Sequence, residues 1–111
     1  MGFQNAGFEI IGAFDNWRPA AETYKANFAH PFYLMDIAAP ETTEIIRALK
    51  PKVIIGGPPC QDFSVCGKRN TDGARANLTL SFADIIIDVK PAYFIMENVA
   101  RARYGRVFAC A

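Results

Sequence analysis

The sequence predicts an α/β domain built on a mainly parallel sheet flanked by helices. Two observations point there. Short apolar runs rich in β-branched and aromatic residues alternate with stretches whose apolar residues recur at helical spacing. Each of those runs also ends on a polar or reactive group, which is where parallel α/β sheets place their ligands. The 111 residues suffice for one small domain, and 51% hydrophobic with 21% charged residues is a globular balance.

Taken in order, Phe8–Phe14 reads as a buried strand ending at Asp15. Trp17, Ala20, Ala21, Tyr24 and Phe28 then recur at helical spacing, with Asn16 as the N-cap. Phe32–Met35 is a second strand, ending at Asp36. Pro40 suits the first turn of a helix whose inner face is Ile45, Ile46 and Leu49. Lys52–Ile55 is a third strand, running into Gly56-Gly57-Pro58-Pro59-Cys60. Leu78, Phe82, Ile85, Ile86 and Val89 mark another helix, and Ala92–Met96 a fourth strand ending at Glu97-Asn98. The tail from Arg101 reads as a short helix with Tyr104, Val107 and Phe108 inward and Arg101, Arg103 and Arg106 solvated.

Composition narrows the partners. The net charge of +1 gives no global electrostatic case for nucleic acid or a membrane surface. No apolar run approaches the ~20 residues of a membrane span. MGFQNAGFEI has no basic segment followed by an apolar one, so no secretory leader is expected. Three cysteines, Cys60, Cys66 and Cys110, suit free thiols in a reducing cytosol. One histidine and no C-x-x-C give no zinc site, and no metal is expected.

The loop GGPPCQDFS, residues 56–64, carries the sharpest question. Cys60 is either a small buried apolar filler or a nucleophile. Gly56-Gly57 permits close approach of the backbone to a ligand, and Pro58-Pro59 fixes φ just before the thiol, as a preorganised loop requires. A phosphatase-type C-x5-R loop would need Arg at position 66, which is Cys66. Neither a Gly-Lys-Ser/Thr phosphate loop nor G-x-G-x-x-G occurs.

GGPPCQDFS resembles the catalytic motif of the DNA (cytosine-5)-methyltransferases, and Met96-Glu97-Asn98-Val99 resembles that family's second catalytic motif, E-N-V, downstream. AFDNWRPAAETYKANF resembles the segment joining the cofactor-binding second strand to its helix. Met35-Asp36-Ile37 resembles the next cofactor motif, and DGARANL (72–78) the loop before the following helix. These stretches run in family order over nearly the whole chain.

The resemblance implies a partial Rossmann-like, S-adenosylmethionine-dependent methyltransferase fold. Residues 1–50 would form the adenosine side of the cofactor site and 51–111 the catalytic segment. It implies Cys60 and Glu97 as catalytic residues. Asp15, Trp17, Asp36, Pro58 and Leu78 would contact S-adenosylmethionine, and Gln61, Ser64, Asn98 and Arg75 the substrate. Lys68, Arg69 and Arg75 lie in the loop after Cys60, where contact with the DNA backbone would be expected and a simply solvated position is the alternative. The expected partner is double-stranded DNA, in a cytoplasmic restriction–modification setting at the nucleoid.

The family sheet has a central strand with an F-x-G-x-G loop, lying between the strands that here end at Asp15 and Gly56. The opening Met1–Gly7 resembles the helix that follows that loop. The expectation is therefore two inner strand edges left unpaired, which is costly. A Q-x-R-x-R segment, a target-recognition domain and a closing helix are likewise not seen. Three readings follow: a fragment of a methyltransferase, one half of a split enzyme needing a second polypeptide, or a non-catalytic remnant that binds a partner through its strand edges.

Overall fold

The computed structural model describes residues 2–58 and 74–98, with the side chains of 74–77 excepted. The chain divides into two compact units, Met1–Pro51 and Lys52–Ala111.

In the first unit, helix α1 (Gly2–Asn5) closes on Gly7, whose φ of 93° is open to glycine at no steric cost. The turn sets the Phe3 and Phe8 rings edge to face, with centroids 5.5 Å apart. Strand β1 is short, Ala13–Asp15, so the expected strand over Phe8–Phe14 forms only at its end. The strand Phe32–Leu34 pairs only with Ala13–Asp15, so the residues before Ala13 have no described strand partner.

Helix α2 (Arg18–Asn27) follows. Its N-cap is Trp17 and not Asn16, no side chain caps it, and Pro19 occupies the first turn, where a missing N–H costs nothing. Ala21 is its buried residue. Strand β2 (Phe32–Leu34) pairs with β1 in parallel, Ala13 opposite Phe32, Phe14 opposite Tyr33 and Asp15 opposite Leu34. The Phe14 and Tyr33 rings stack at 4.7 Å. Tyr24 of α2 packs on the Phe32 ring at 5.2 Å and pairs its hydroxyl with Nδ1 of His30 at 3.1 Å.

Helix α3 (Pro40–Leu49) starts at the expected proline. Ile46 is buried as expected, and so is Thr42, which lies a turn earlier on the same face. A Thr at such a position escapes a purely apolar count. Its hydroxyl is satisfied by donating to the Asp36 carbonyl at 2.6 Å. The helix ends on Lys50 in the left-handed conformation, with φ 51°.

In the second unit, β3 (Val53–Gly56) and β4 (Tyr93–Met96) pair in parallel, Val53 opposite Tyr93 through Gly56 opposite Met96. Helix α4 (Ala74–Val89) buries Phe82, Ile85 and Thr79 and ends on Lys90, φ 53°. Both Lys50 and Lys90 precede a proline and a strand, a repeated stop signal in the sequence. Phe82 lies against Gly56, so α4 packs on that face at the end of β3. Side chains alternate along a strand, which places Ile55, Tyr93 and Ile95 on the opposite face, where all three are exposed, Tyr93 at 72%.

The strands are parallel, as expected. Among the described residues the strands form two separate pairs, β1 with β2 and β3 with β4, and each pair stops where no further described strand supplies hydrogen-bond partners.

Candidate active site

At the carboxyl end of the second sheet, two chain exits lie side by side because Gly56 is in register with Met96. The ladder runs one bond further, with the Glu97 amide donating to the Gly56 carbonyl at 2.9 Å. Beyond that point the loops are joined by side chains. A Cβ on Gly57 would lie 3.8 Å from Glu97 Oε2, so the exposed carboxylate sits beside the Gly57 backbone. Asn98 Nδ2 donates to the carbonyl of Pro58, a buried residue, at 3.4 Å, linking positions 40 residues apart. The structure thus brings together Pro58, Glu97 and Asn98.

Cys60, Gln61 and Ser64, with Lys68 and Arg69, lie outside the described residues. Arg75 is on α4, where its backbone alone is described. Leu78, one turn before Phe82 on the same helix, is half-buried.

The first unit carries the other candidates. β1 ends on Asp15 and β2 runs into Asp36, with the Met35 amide donating to the Asp15 carbonyl at 3.0 Å. The two exposed carboxylates therefore lie at adjacent strand ends. Each accepts a local amide through Oδ1, Asp15 from Trp17 at 2.8 Å and Asp36 from Ala38 at 2.9 Å. These are Asx turns, which fix the carboxylate by its own loop. Among the described residues Oδ2 of neither is committed. Trp17 recurs at helical spacing with Ala20, Ala21, Tyr24 and Phe28, but at 64% exposure its indole is not part of the core.

The two carboxylates are fixed acceptors for hydroxyl or amino groups, while the Trp17 indole lies along α2 beside Pro19, Ala20 and Tyr24. Among the described residues no group of three or more His, Cys, Asp or Glu is placed to hold a metal ion. No described helix is long and apolar enough to cross a membrane.

Reading the sequence did not reveal the Phe82–Gly56 contact or the Asn98–Pro58 bond. Neither has a local signal, since both join residues far apart in the chain. The buried Thr42 was legible only as a polar residue on an otherwise apolar helix face.

The family model for the C-5 cytosine-specific DNA methylases matches residues 1–105. Type II methyltransferase M.HgiGI of Herpetosiphon aurantiacus is 53% identical over 108 residues, covering 96% of this chain and 86% of the relative. M.HgiDI of the same organism is also 53% identical over 108 residues, but the match covers 35% of it. M.HindV of Haemophilus influenzae is 48% identical, with 36% of its length covered. The chain therefore spans most of one relative and about a third of the others. A crystal structure of a mutant Spodoptera frugiperda DNMT2 matches with a TM-score of 0.75 at 27% identity, over 97% of this chain and 34% of that one.

Proposed function

The chain belongs to the C-5 cytosine-specific DNA methylase family, and from that premise we propose that its residues carry methyl transfer to carbon 5 of a cytosine in double-stranded DNA. The observation that supports this most is the pairing of the Gly56–Pro58 exit with the Glu97–Asn98 exit at one sheet edge. Those are the stretches that begin the P-C-Q loop and the E-N-V motif.

Carbon 5 of cytosine is a poor nucleophile. Cys60 thiolate adds to carbon 6, forming an Sγ–C6 bond and leaving carbon 5 enamine-like. Glu97, at ring nitrogen 3, offsets the charge that develops as the thiolate adds. When bound, S-adenosylmethionine would supply the methyl group that carbon 5 takes up, its sulfonium leaving as the neutral thioether S-adenosylhomocysteine. Loss of the carbon-5 proton to a base then restores the ring, the Sγ–C6 bond breaks and the thiolate leaves. The base must leave the helix stack for the thiol to reach it, so the cytosine is flipped out. Gln61, Ser64 and Arg75 belong to the substrate side of this scheme.

Asp15 and Asp36 hold the ribose hydroxyls and adenine amino group of the cofactor, and Trp17 lies against the adenine. Pro58 and Leu78 complete the contacts that the family resemblance gives. The exposed, pre-turned carboxylates and exposed indole support this assignment.

Because the chain covers 35% of M.HgiDI, methylation is proposed for the whole protein, or for an assembly in which a second polypeptide supplies further segments. The setting is restriction–modification in the cytoplasm, at the nucleoid. The non-catalytic partner-binding reading is not favoured, because both catalytic stretches are intact and the relatives are named methyltransferases.

A chimera tests the proposal: this chain replaces its counterpart in M.HgiDI, and tritium transfer from labelled S-adenosylmethionine to DNA is followed. Turnover is expected. A chimera that folds and binds cofactor but transfers no methyl group overturns the proposal.

A further inference from the structure

We propose that Asn98 is a positioning residue, whose carboxamide locks the strand exit carrying Glu97 onto the exit carrying Cys60; this rests on the methyl-transfer reading of the same site. The argument begins where the sheet runs out. Gly56 and Met96 are the last residues in register, and the Glu97 amide makes one more bond, to the Gly56 carbonyl. Past that bond nothing in a parallel ladder fixes how the two loops diverge, yet the chemistry needs a thiol and a carboxyl group held on one ring.

The next cross-link must come from a side chain. Pro58 has no N–H, so its carbonyl is the one backbone group it can offer. Pro58 is buried, and a buried carbonyl without a partner is costly. The partner therefore has to be a donor. Asn98 supplies it from the half-buried side of its loop, through Nδ2 at 3.4 Å. Aspartate has the same shape but nothing to donate at neutral pH. The neighbouring Glu97 is exposed, so adjacent residues divide the work: Glu97 presents its carboxylate outward, and Asn98 turns its amide inward to hold the other loop.

Hydrogen exchange by NMR on the 111-residue chain tests the lock directly. In Asn98→Asp the Glu97 amide should exchange about five- to tenfold faster, the scale of one neutral hydrogen bond. Interior amides of β3 and β4 should stay within about twofold. If Asn98→Asp does not fold, Asn98→Ala decides by the same comparison. An unchanged Glu97 amide, or acceleration spread evenly over both strands, overturns the proposal; the second result marks a merely structural residue.

In the M.HgiDI chimera, Asn98→Asp should lower kcat about five- to tenfold with KM for DNA within about twofold. A raised KM at unchanged kcat makes Asn98 a direct substrate contact and also overturns the proposal. Cys60→Ser in the same chimera separates the two failures. Retained methyl transfer there sinks the reaction scheme, whereas a dead Cys60→Ser beside an unaffected Asn98→Asp sinks the positioning role alone.

Discussion

The Phe82 ring of α4 packs directly onto Gly56, the last residue of β3. A Cβ placed on Gly56 would lie 2.6 Å from Phe82 Cδ2 and closer still to Cε2. Phe82 is 6% exposed, so the ring has little room to retreat. The glycine at this strand end serves close approach between helix and strand, and its φ is not positive. The contact sets the height of α4 at the point where the chain turns toward Pro58 and Cys60.

Gly56→Ala should therefore destabilise the second unit by about 1–3 kcal/mol, the cost of overpacking a filled site. Urea unfolding of the chain measures it. Phe82→Leu in the Gly56→Ala background should recover part of the loss, giving a non-additive double-mutant cycle. Strict additivity would show that the two residues do not share this space.

Thr79 gives a change of opposite sign. It is 5% exposed on α4, and its hydroxyl has no hydrogen-bond partner among the described residues. Burying an unsatisfied hydroxyl costs about 1–3 kcal/mol, and Val keeps the shape without the polar group. Thr79→Val should stabilise the chain by about 1 kcal/mol, read as a higher urea midpoint at unchanged slope. A lower midpoint would mean that the hydroxyl has a partner in the folded chain.

How much was legible in the sequence follows from how local each feature is. Helix α3 begins at Pro40 because proline suits a first turn, and that is a local signal. β3 and β4 announce themselves as short runs of Val, Ile, Tyr and Phe. The long run Phe8–Phe14 misled, because an apolar run forms a strand only where a neighbour accepts its hydrogen bonds, and β2 reaches only Ala13–Asp15. Asn16 looked like a cap by residue type, but Asp15 takes the Trp17 amide instead and the helix begins later. The identity of Glu97 as a strand-end carboxylate was readable; its proximity to Gly57 was not, because that depends on the register of a pairing between distant strands.

Cys60 lies outside the described residues, and its role is tested by chemistry. DNA containing 5-fluorocytosine lacks the carbon-5 proton whose loss releases the thiol, so the Sγ–C6 bond should persist. In the M.HgiDI chimera a covalent protein–DNA adduct should form, and Cys60→Ser should abolish it on a denaturing gel. An undiminished adduct in that variant would assign the nucleophile elsewhere.

Glu97→Gln keeps the size of the side chain and removes its carboxyl group. Glu97 is exposed, so stability should change by no more than about 0.5 kcal/mol. Methyl transfer by the chimera should slow about 10²–10⁴-fold, the range for losing one acid–base group. A rate within about twofold of the parent chimera would remove Glu97 from the mechanism.

Trp17 makes the cofactor assignment measurable in the isolated chain. It is the one tryptophan of the sequence, and at 64% exposure its fluorescence reports on whatever covers it. The described residues offer Asp15, Asp36 and Trp17 to the adenosine part of S-adenosylmethionine, and none of them is assigned to its methionine carboxylate and amino group. Hydrogen bonds to charged groups contribute about 1.5–3 kcal/mol each, so a site without two of them would bind about 10²–10⁴-fold more weakly. Titration of the 111 residues with S-adenosylmethionine should therefore give no saturation in the micromolar range. At millimolar ligand Trp17 fluorescence should still change, and Asp15→Ala should diminish that change. Trp17→Phe supplies the blank for inner-filter effects. Saturation at micromolar ligand, together with methyl transfer to DNA, would show that the isolated chain supplies contacts to the methionine end as well.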